Sequence, residues 1–330
     1  MSDPEITHDL SKHFLPFPTH IEPTLMTDQP ITDIADIGRL LTNRHLSGRT
    51  TVDDAASPQF PSRRNMWSPT NGTEAAHRAI IRWRNQQKFV RLVPDDDALA
   101  PYNGIATDVN LLNGFRIPVD ELLTHDRRAT LVLSSPNGIS GRIGTVQEIV
   151  RLARHFALVV IDERLAPFSS RRLTPLVSEW ENVITIQRFP FIMPGQTTEF
   201  GWMIHPSMFR LELNRYIAPL AATTEQEVLE YGAINTFAAE RHSVRLKGQL
   251  YRELRKMSVV SVPYPSWGNS LLARVERGTR DQIVDALDER GIRVYSPPHP
   301  NLLHHIRITA ASARATTDLR EALVEINRTL

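Results

Sequence analysis

The chain has 330 residues, 41% of them hydrophobic and 23% charged, with a formal net charge of +1 and no cysteine. So even a balance supplies no field for gathering nucleic acid or an anionic membrane, and the missing thiols exclude disulfides, cysteine nucleophiles and thiolate zinc sites. At about 100–200 residues per domain the length predicts two domains, and lysine is confined to Lys12, Lys88, Lys247 and Lys256.

The polar opening MSDPEITHDLSKHF has no apolar core of a signal peptide, and no apolar run approaches a membrane span. A cytoplasmic location is the expectation. Residues 1–35 are rich in Pro, Thr and Asp and show no period, which reads as an extended arm or a disordered tail. The arm is taken to end at residue 45, and residues 45–70 are loop-like. Asn71-Gly72-Thr73-Glu74 then opens a helix over AAHRAIIRWRNQQ.

From about residue 129 strands and helices alternate. ATLVLSS (129–135) is an apolar strand ending in the turn Pro136-Asn137-Gly138. TVQEIVRLARHFA (145–157) carries Val146, Ile149, Val150, Ala153 and Phe156 at helical spacing. LVVID (158–162), VITIQ (183–187) and FGWMIH (200–205) are further strands. Continuous apolar strands separated by helices predict a parallel or mixed sheet covered on both faces.

A long helical region is expected from about 223 to 256. Beyond it come a strand at 270–275, a helix closed by Gly291, a strand at 305–309 and a last helix. The predicted domains are thus a large α/β unit over 46–222 and, over 223–330, a linking helix with a small α+β unit. P-loop, dinucleotide, zinc-protease and nucleophile-elbow motifs are missing. His299, His304 and His305 cluster, but neighbouring histidines on a strand point to opposite faces, so loop and strand roles are favoured over a metal site.

The order of the remaining signals is informative. N-G-T-E precedes a helix, S-S-P-N-G-I-S-G follows a strand, and V-V-I-D-E ends another. Then come F-P-F-I-M-P-G-Q-T-T-E-F-G-W, P-S-W-G-N and I-R-I-T. Over roughly residues 65–330 this series resembles fold-type-I pyridoxal-phosphate (PLP) enzymes of the histidinol-phosphate aminotransferase and threonine-phosphate decarboxylase group. The resemblance implies a large domain with a mixed, seven-stranded-type sheet flanked by helices, plus a small C-terminal α+β domain.

The resemblance also assigns roles. Asn71, Gly72 and Thr73 match the turn that offers N–H groups and a hydroxyl to the cofactor phosphate at a helix start. Asp162 matches the acid that pairs with the pyridine nitrogen, with Arg164 close by. Asn137 lies in the loop that carries an Asn beside the phenolic oxygen, although Gly138 falls at that Asn's own position. Leu165 replaces the tyrosine. Arg307 matches the arginine that grips the substrate carboxylate, and Asn269 matches the small-domain asparagine. Each also has a plain structural role available, as cap, strand-end acid or internal ion pair.

The lysine motif is where the chain departs. Aligned on Gly201-Trp202 and Phe189, the Schiff-base lysine falls at Phe191 and the phosphate-gripping arginine at Glu199. A phenyl ring can neither hold the cofactor nor shuttle a proton. The expectation is therefore no covalently bound cofactor, with PLP or its amine form (PMP) at most held non-covalently. Three readings of function follow. One is a repurposed biosynthetic enzyme binding a small carboxylate ligand in the old cleft. Another is a non-catalytic partner or regulatory subunit, as a homodimer or as a heterodimer with a PLP enzyme. An ordinary aminotransferase whose lysine lies elsewhere is the third.

Overall fold

The computed structural model describes residues 6–28, 31–47 and 65–330. Two short strands, β1 (His8–Asp9) and β2 (Thr24–Leu25), lie in the N-terminal segment, followed by helix α1 (Ile34–Ser47). Strand β3 (Asn65–Thr70) runs into α2 (Gly72–Trp83), and β4 (Phe89–Val93), β5 (Ala106–Asn110) and α3 (Val119–Leu122) come next. Then follow β6 (Thr130–Ser134), α4 (Val146–Ala153), β7 (Leu158–Asp162), β8 (Val183–Arg188) and β9 (Gly201–Pro206). Helices α5 (Arg210–Leu213) and α6 (Ala222–Tyr231), strand β10 (Ile234–Asn235) and helix α7 (Phe237–Leu254) lead out of this unit. The remainder comprises β11 (Val260–Ser261), β12 (Ser270–Val275), α8 (Arg280–Asp288), β13 (Ile292–Arg293), β14 (His305–Thr309) and α9 (Ala313–Thr329).

The main sheet has seven strands in the order β3-β9-β8-β7-β6-β4-β5. The pairs from β5 through β8 are parallel, and β9 is antiparallel to both β8 and β3. The expected mixed sheet is thus present. Strand β7 shows why it sits in the middle. Val159 and Ile161 enter one apolar cluster with Ile149 and Leu152 of α4, while Leu158 and Val160 enter another with Ala76 and Ile80 of α2. Burial on both faces, at about 1.5–3 kcal/mol per large side chain, demands apolar residues at successive positions. Thr145 starts α4 with a reciprocal capping box to Glu148.

The small unit is a three-stranded sheet, β11-β12-β14, packed with α8 and α9 around Leu271, Ile306, Leu319 and Leu323. Among the described residues no helix is long and apolar enough to cross a membrane.

Three expectations need correction. Asn65–Thr70, within the stretch read as loop, is a strand paired in register with β9, Trp67 opposite Ile204. Its alternation is obscured by Pro69 and Ser68 in the sequence NMWSPT, and residues 48–64 of that loop lie outside the described residues. The single long helix is two, α6 and α7, separated where β10 pairs with β2 of the N-terminal segment. Finally, the described part of the arm is built into the fold. His8 and Asp9 pair in parallel with Ile292 and Arg293, and Leu10, 1% exposed, joins the small unit's core.

Candidate functional site

The carboxyl ends of parallel strands are where ligands bind in open α/β sheets. Asp162 closes β7 at that edge and is fully buried. The Arg164 amide donates to its Oδ1 at 3.0 Å, and His77 Nε2 lies 3.1 Å from its Oδ2. On the far side of the ring Tyr102 Oη sits 3.2 Å from His77 Nδ1. The order that satisfies each group has Tyr102 donating to His77 and His77 donating to Asp162. Burial by itself would raise the Asp162 pKa. The Arg164 charge and the His77 hydrogen bond outweigh it, so the carboxyl is held below its ordinary value.

A second buried acid lies beside it. Asp96 is bonded by Arg164, and His13 Nε2 approaches its Oδ2 at 3.0 Å. Arg307 Nη1 stands 3.6 Å from the same oxygen. Burial would again raise this acid, but Arg164, His13 and Arg307 hold it well below the usual range. Asp95 goes the other way. Burial and the Asp96 charge push it up to about 7, although Ser134 and Arg164 oppose the shift. Of two adjacent acids, one is anionic and the other titrates near neutrality.

The predicted phosphate turn is found at the start of α2. Gly72 has φ +84°, and a side chain there would meet the Glu199 carboxyl at 3.0 Å. The donors of that turn are occupied. Thr73 N and Thr73 Oγ1 lie 3.3 and 3.2 Å from Glu199 Oε1, and Arg188 Nη1 is 3.1 Å from the same atom. Asn71 does not cap the helix. Its Nδ2 donates to Pro219 O at 3.0 Å and its Oδ1 accepts from Ala221 N at 3.1 Å, which ties down the entry to α6.

The Asn137 carboxamide is spent on its own loop. Its Oδ1 accepts from Ser140 N and Ile139 N at 2.9 and 3.1 Å, and its Nδ2 donates to Pro94 O at 3.0 Å. Phe191 is 2% exposed in a cluster with Leu165, Phe168, Phe189 and Met193. Its ring meets Phe17 at 5.7 Å and Phe168 at 5.8 Å, both edge to face.

The N-terminal segment supplies what the sequence gave no sign of. Residues Ser11–Phe17 run between the large and small units through this region. Arg307 donates to Ser11 O and, at 2.9 Å, to Gly138 O, and its guanidinium lies against His13. His13 Nε2 also reaches Gly138 O at 2.6 Å. Asn269 Nδ2 donates to His13 O at 2.6 Å. The Arg188 guanidinium covers the Phe14 ring at 3.3 Å, and about Pro16 the Phe17 amide donates to Ile192 O while the Ile192 amide donates to Leu15 O. The structure therefore brings Asp162, Arg164, Thr73, Arg307 and Asn269 to one region, and each faces a protein group. His13, His77, Asp96, Tyr102 and Arg188 were missed; only the D-D-D run at 95–97 was a visible cue.

Each of the four lysines has a protein partner. Lys12, Lys88 and Lys256 face Asp9, Asp126 and Glu253, and Lys247 donates to Ser266 O and Gly268 O at 2.8 and 2.6 Å. Among the described residues, no group of three or more His, Cys, Asp or Glu side chains is arranged to hold a metal. The residues present fit PLP only at its pyridine-nitrogen end, through Asp162. At the Thr73 turn a carboxylate already takes the donors, and Phe191 stands in an apolar aromatic cluster.

No family model matches the chain. It is 22% identical over 219 residues to the histidinol-phosphate aminotransferase of Pyrococcus furiosus, covering 66% of this chain and 62% of that protein. Over 219 residues it is 26% identical to histidinol-phosphate aminotransferase 1 of Trichormus variabilis, covering 64% and 61%. The matched region thus spans about six-tenths of these relatives' length. Among solved structures, histidinol-phosphate aminotransferase from Clostridium acetobutylicum superposes with a TM-score of 0.74 at 13% identity, covering 98% of this chain and 100% of that one. L-threonine-O-3-phosphate decarboxylase from Porphyromonas gingivalis gives a TM-score of 0.65 at 17% identity, covering 97% and 99%. The chain carries the fold of the fold-type-I PLP-dependent aminotransferases and is a distant sequence relative of the histidinol-phosphate aminotransferases.

Proposed function

We propose that this chain is a non-catalytic protein built on the aminotransferase fold, acting as a partner or regulatory subunit and carrying out no transamination. The observation behind this reading is the course of Ser11–Phe17. In that segment Ser11 O accepts from Arg307 and His13 O accepts from Asn269, the two groups that the resemblance assigns to a substrate carboxylate. A ligand entering there has to displace several buried hydrogen bonds, each at about 0.5–1.5 kcal/mol net, before making its own.

The cofactor end supports the same reading. A phosphate dianion entering the Thr73 turn meets Glu199 rather than a guanidinium, and like charges repel most strongly where water is excluded. With Phe191 at the position aligned with the lysine, no amine is at hand to capture an aldehyde there. The repurposed-enzyme reading retains one argument. The Tyr102–His77–Asp162 relay is intact, buried and able to hold a proton at a defined atom, which an abandoned site has no need to keep.

The test is spectroscopic. The purified chain is mixed with PLP, and amino acids are then added while the visible spectrum is followed. The reading expects no conversion of PLP to its amine form. A yellow species that bleaches on adding an amino acid, with release of an oxo acid, overturns it.

A further inference from the structure

The loop over residues 167–175 and the amino-terminal half of α7 line a cleft of about 550 Å³ that also reaches Phe168, whose ring meets Phe191. A volume of that order suits a small-molecule ligand. Its walls combine two chemistries. Phe168, Phe237 and Trp267 present rings, whereas Arg172, Arg241, Arg245 and Lys247 present cations.

The charge is unbalanced. The lining acid is Glu240, and it is already committed, bonded by Arg44 and Thr236 with Arg172 at 4.0 Å. Among the described residues Arg241 and Arg245 have no carboxylate within ion-pair distance. Arg241 instead lies over the Phe237 ring at 5.4 Å. Lys247 finds main-chain carbonyls, not an acid. A group of cations gathered on one wall repels itself, and an anion in the cleft would relieve this.

We propose that this cleft binds a flat-ring ligand carrying a phosphate, the ring between Phe168, Phe237 and Trp267 and the phosphate on Arg241, Arg245 and Lys247. Guanidinium groups suit a phosphate because they donate in pairs, and aromatic faces accept a flat ring without regard to its substituents. The site uses neither Asp162, Arg307 nor Asn269, and it does not depend on whether PLP chemistry survives. Burial pulls Lys247 down to about 8, so its contribution to anion binding fades above that pH.

AMP serves as the probe, with adenosine and inorganic phosphate as its two halves, and Trp267 fluorescence as the readout. The expectation is saturable quenching by AMP below about 1 mM, absent in Trp267→Phe. Each half should bind at least about tenfold more weakly than AMP. The double variant Arg241→Glu/Arg245→Glu should lose at least about tenfold in AMP affinity with an unchanged circular dichroism spectrum. Arg245→Ala, a truncation of an exposed side chain, repeats the test if the double variant misfolds. No saturable quenching, or adenosine binding as tightly as AMP, overturns the proposal. So does undiminished affinity in the arginine variants. None of these results bears on the PLP spectrum, so the two readings fail separately.

Discussion

Glu199 Oε1 lies 3.2 Å from Thr73 Oγ1 at the amino end of the helix that opens at Gly72, and Arg188 approaches the same oxygen at 3.1 Å. An internal carboxylate thus takes the position where the aminotransferase fold presents N–H groups and a hydroxyl to an anion. Burial lowers the Arg188 pKa to about 10 although Glu199 opposes the shift. Glu199→Ala removes the anion from both partners. The Glu199 side chain is 41% exposed, so water replaces part of what is lost. The expected cost is about 0.5–1 kcal/mol in urea unfolding, and an unchanged midpoint contradicts the pairing.

Phe191→Lys places an amine in the cluster of Phe17, Phe168 and Phe189. The variant loses the ring's burial, roughly 1.5–3 kcal/mol, and adds the desolvation of a charge with no acid beside it. A total loss of about 3–5 kcal/mol is expected, with no protein-bound visible band once free PLP is removed by gel filtration. A stable variant that turns yellow with PLP shows instead that the pocket still accepts the cofactor.

Arg307→Ala severs the bonds to Ser11 O and Gly138 O and leaves Asp96 with one cation fewer. Breaking a buried charged network of this kind costs about 3 kcal/mol or more. The specific signature is in hydrogen exchange. The amides of Leu10 and Phe17, which donate to Arg293 O and Ile192 O, should lose protection ahead of the sheet. If they exchange as in the parent chain, the segment does not depend on Arg307.

Buried histidines contribute to the acid limit. His205 is pulled down to about 4 by burial, against the main-chain oxygen of Pro206. Burial also lowers His13 and His45, with the neighbouring Arg307 and Arg172 adding to it. In the unfolded chain each titrates near 6.5. Between 6.5 and 4 the unfolded state therefore binds more protons than the folded one, and stability falls as the pH falls. Thermal unfolding should shift downward steadily across that window. His205→Gln, which removes one such group beside Ser68, should flatten the slope. An identical slope in the variant assigns the effect to other groups.

Much of the fold was legible because its signals are local. The apolar run at 158–162 predicts a strand buried on both faces, and the structure places it centrally with Val159 and Val160 in opposite clusters. The residues at 145–157 announce a helix by spacing. Strand β3 was not legible, since its pairing partner β9 lies more than a hundred residues away and Pro69 and Ser68 break its pattern. The division between α6 and α7 was equally hidden, because β10 forms only where β2 reaches it.

What the sequence by itself determined is the mixed α/β sheet, the small C-terminal unit and certain residue types in place: Asp162 closing β7, Arg307 within β14, Phe191 after β8 and the N-G-T-E turn. Periodicity and short motifs act over a few residues, and that is enough for elements and edge chemistry. Only the tertiary structure decided what those groups face. By type and motif Arg307 is a fork for a carboxylate, yet its donors meet Ser11, His13 and Gly138, up to 296 residues away along the chain. A side chain's type fixes what it can bind. Which partner it binds depends on what the folded chain brings within about 3 Å of it, and no local pattern carries that distance.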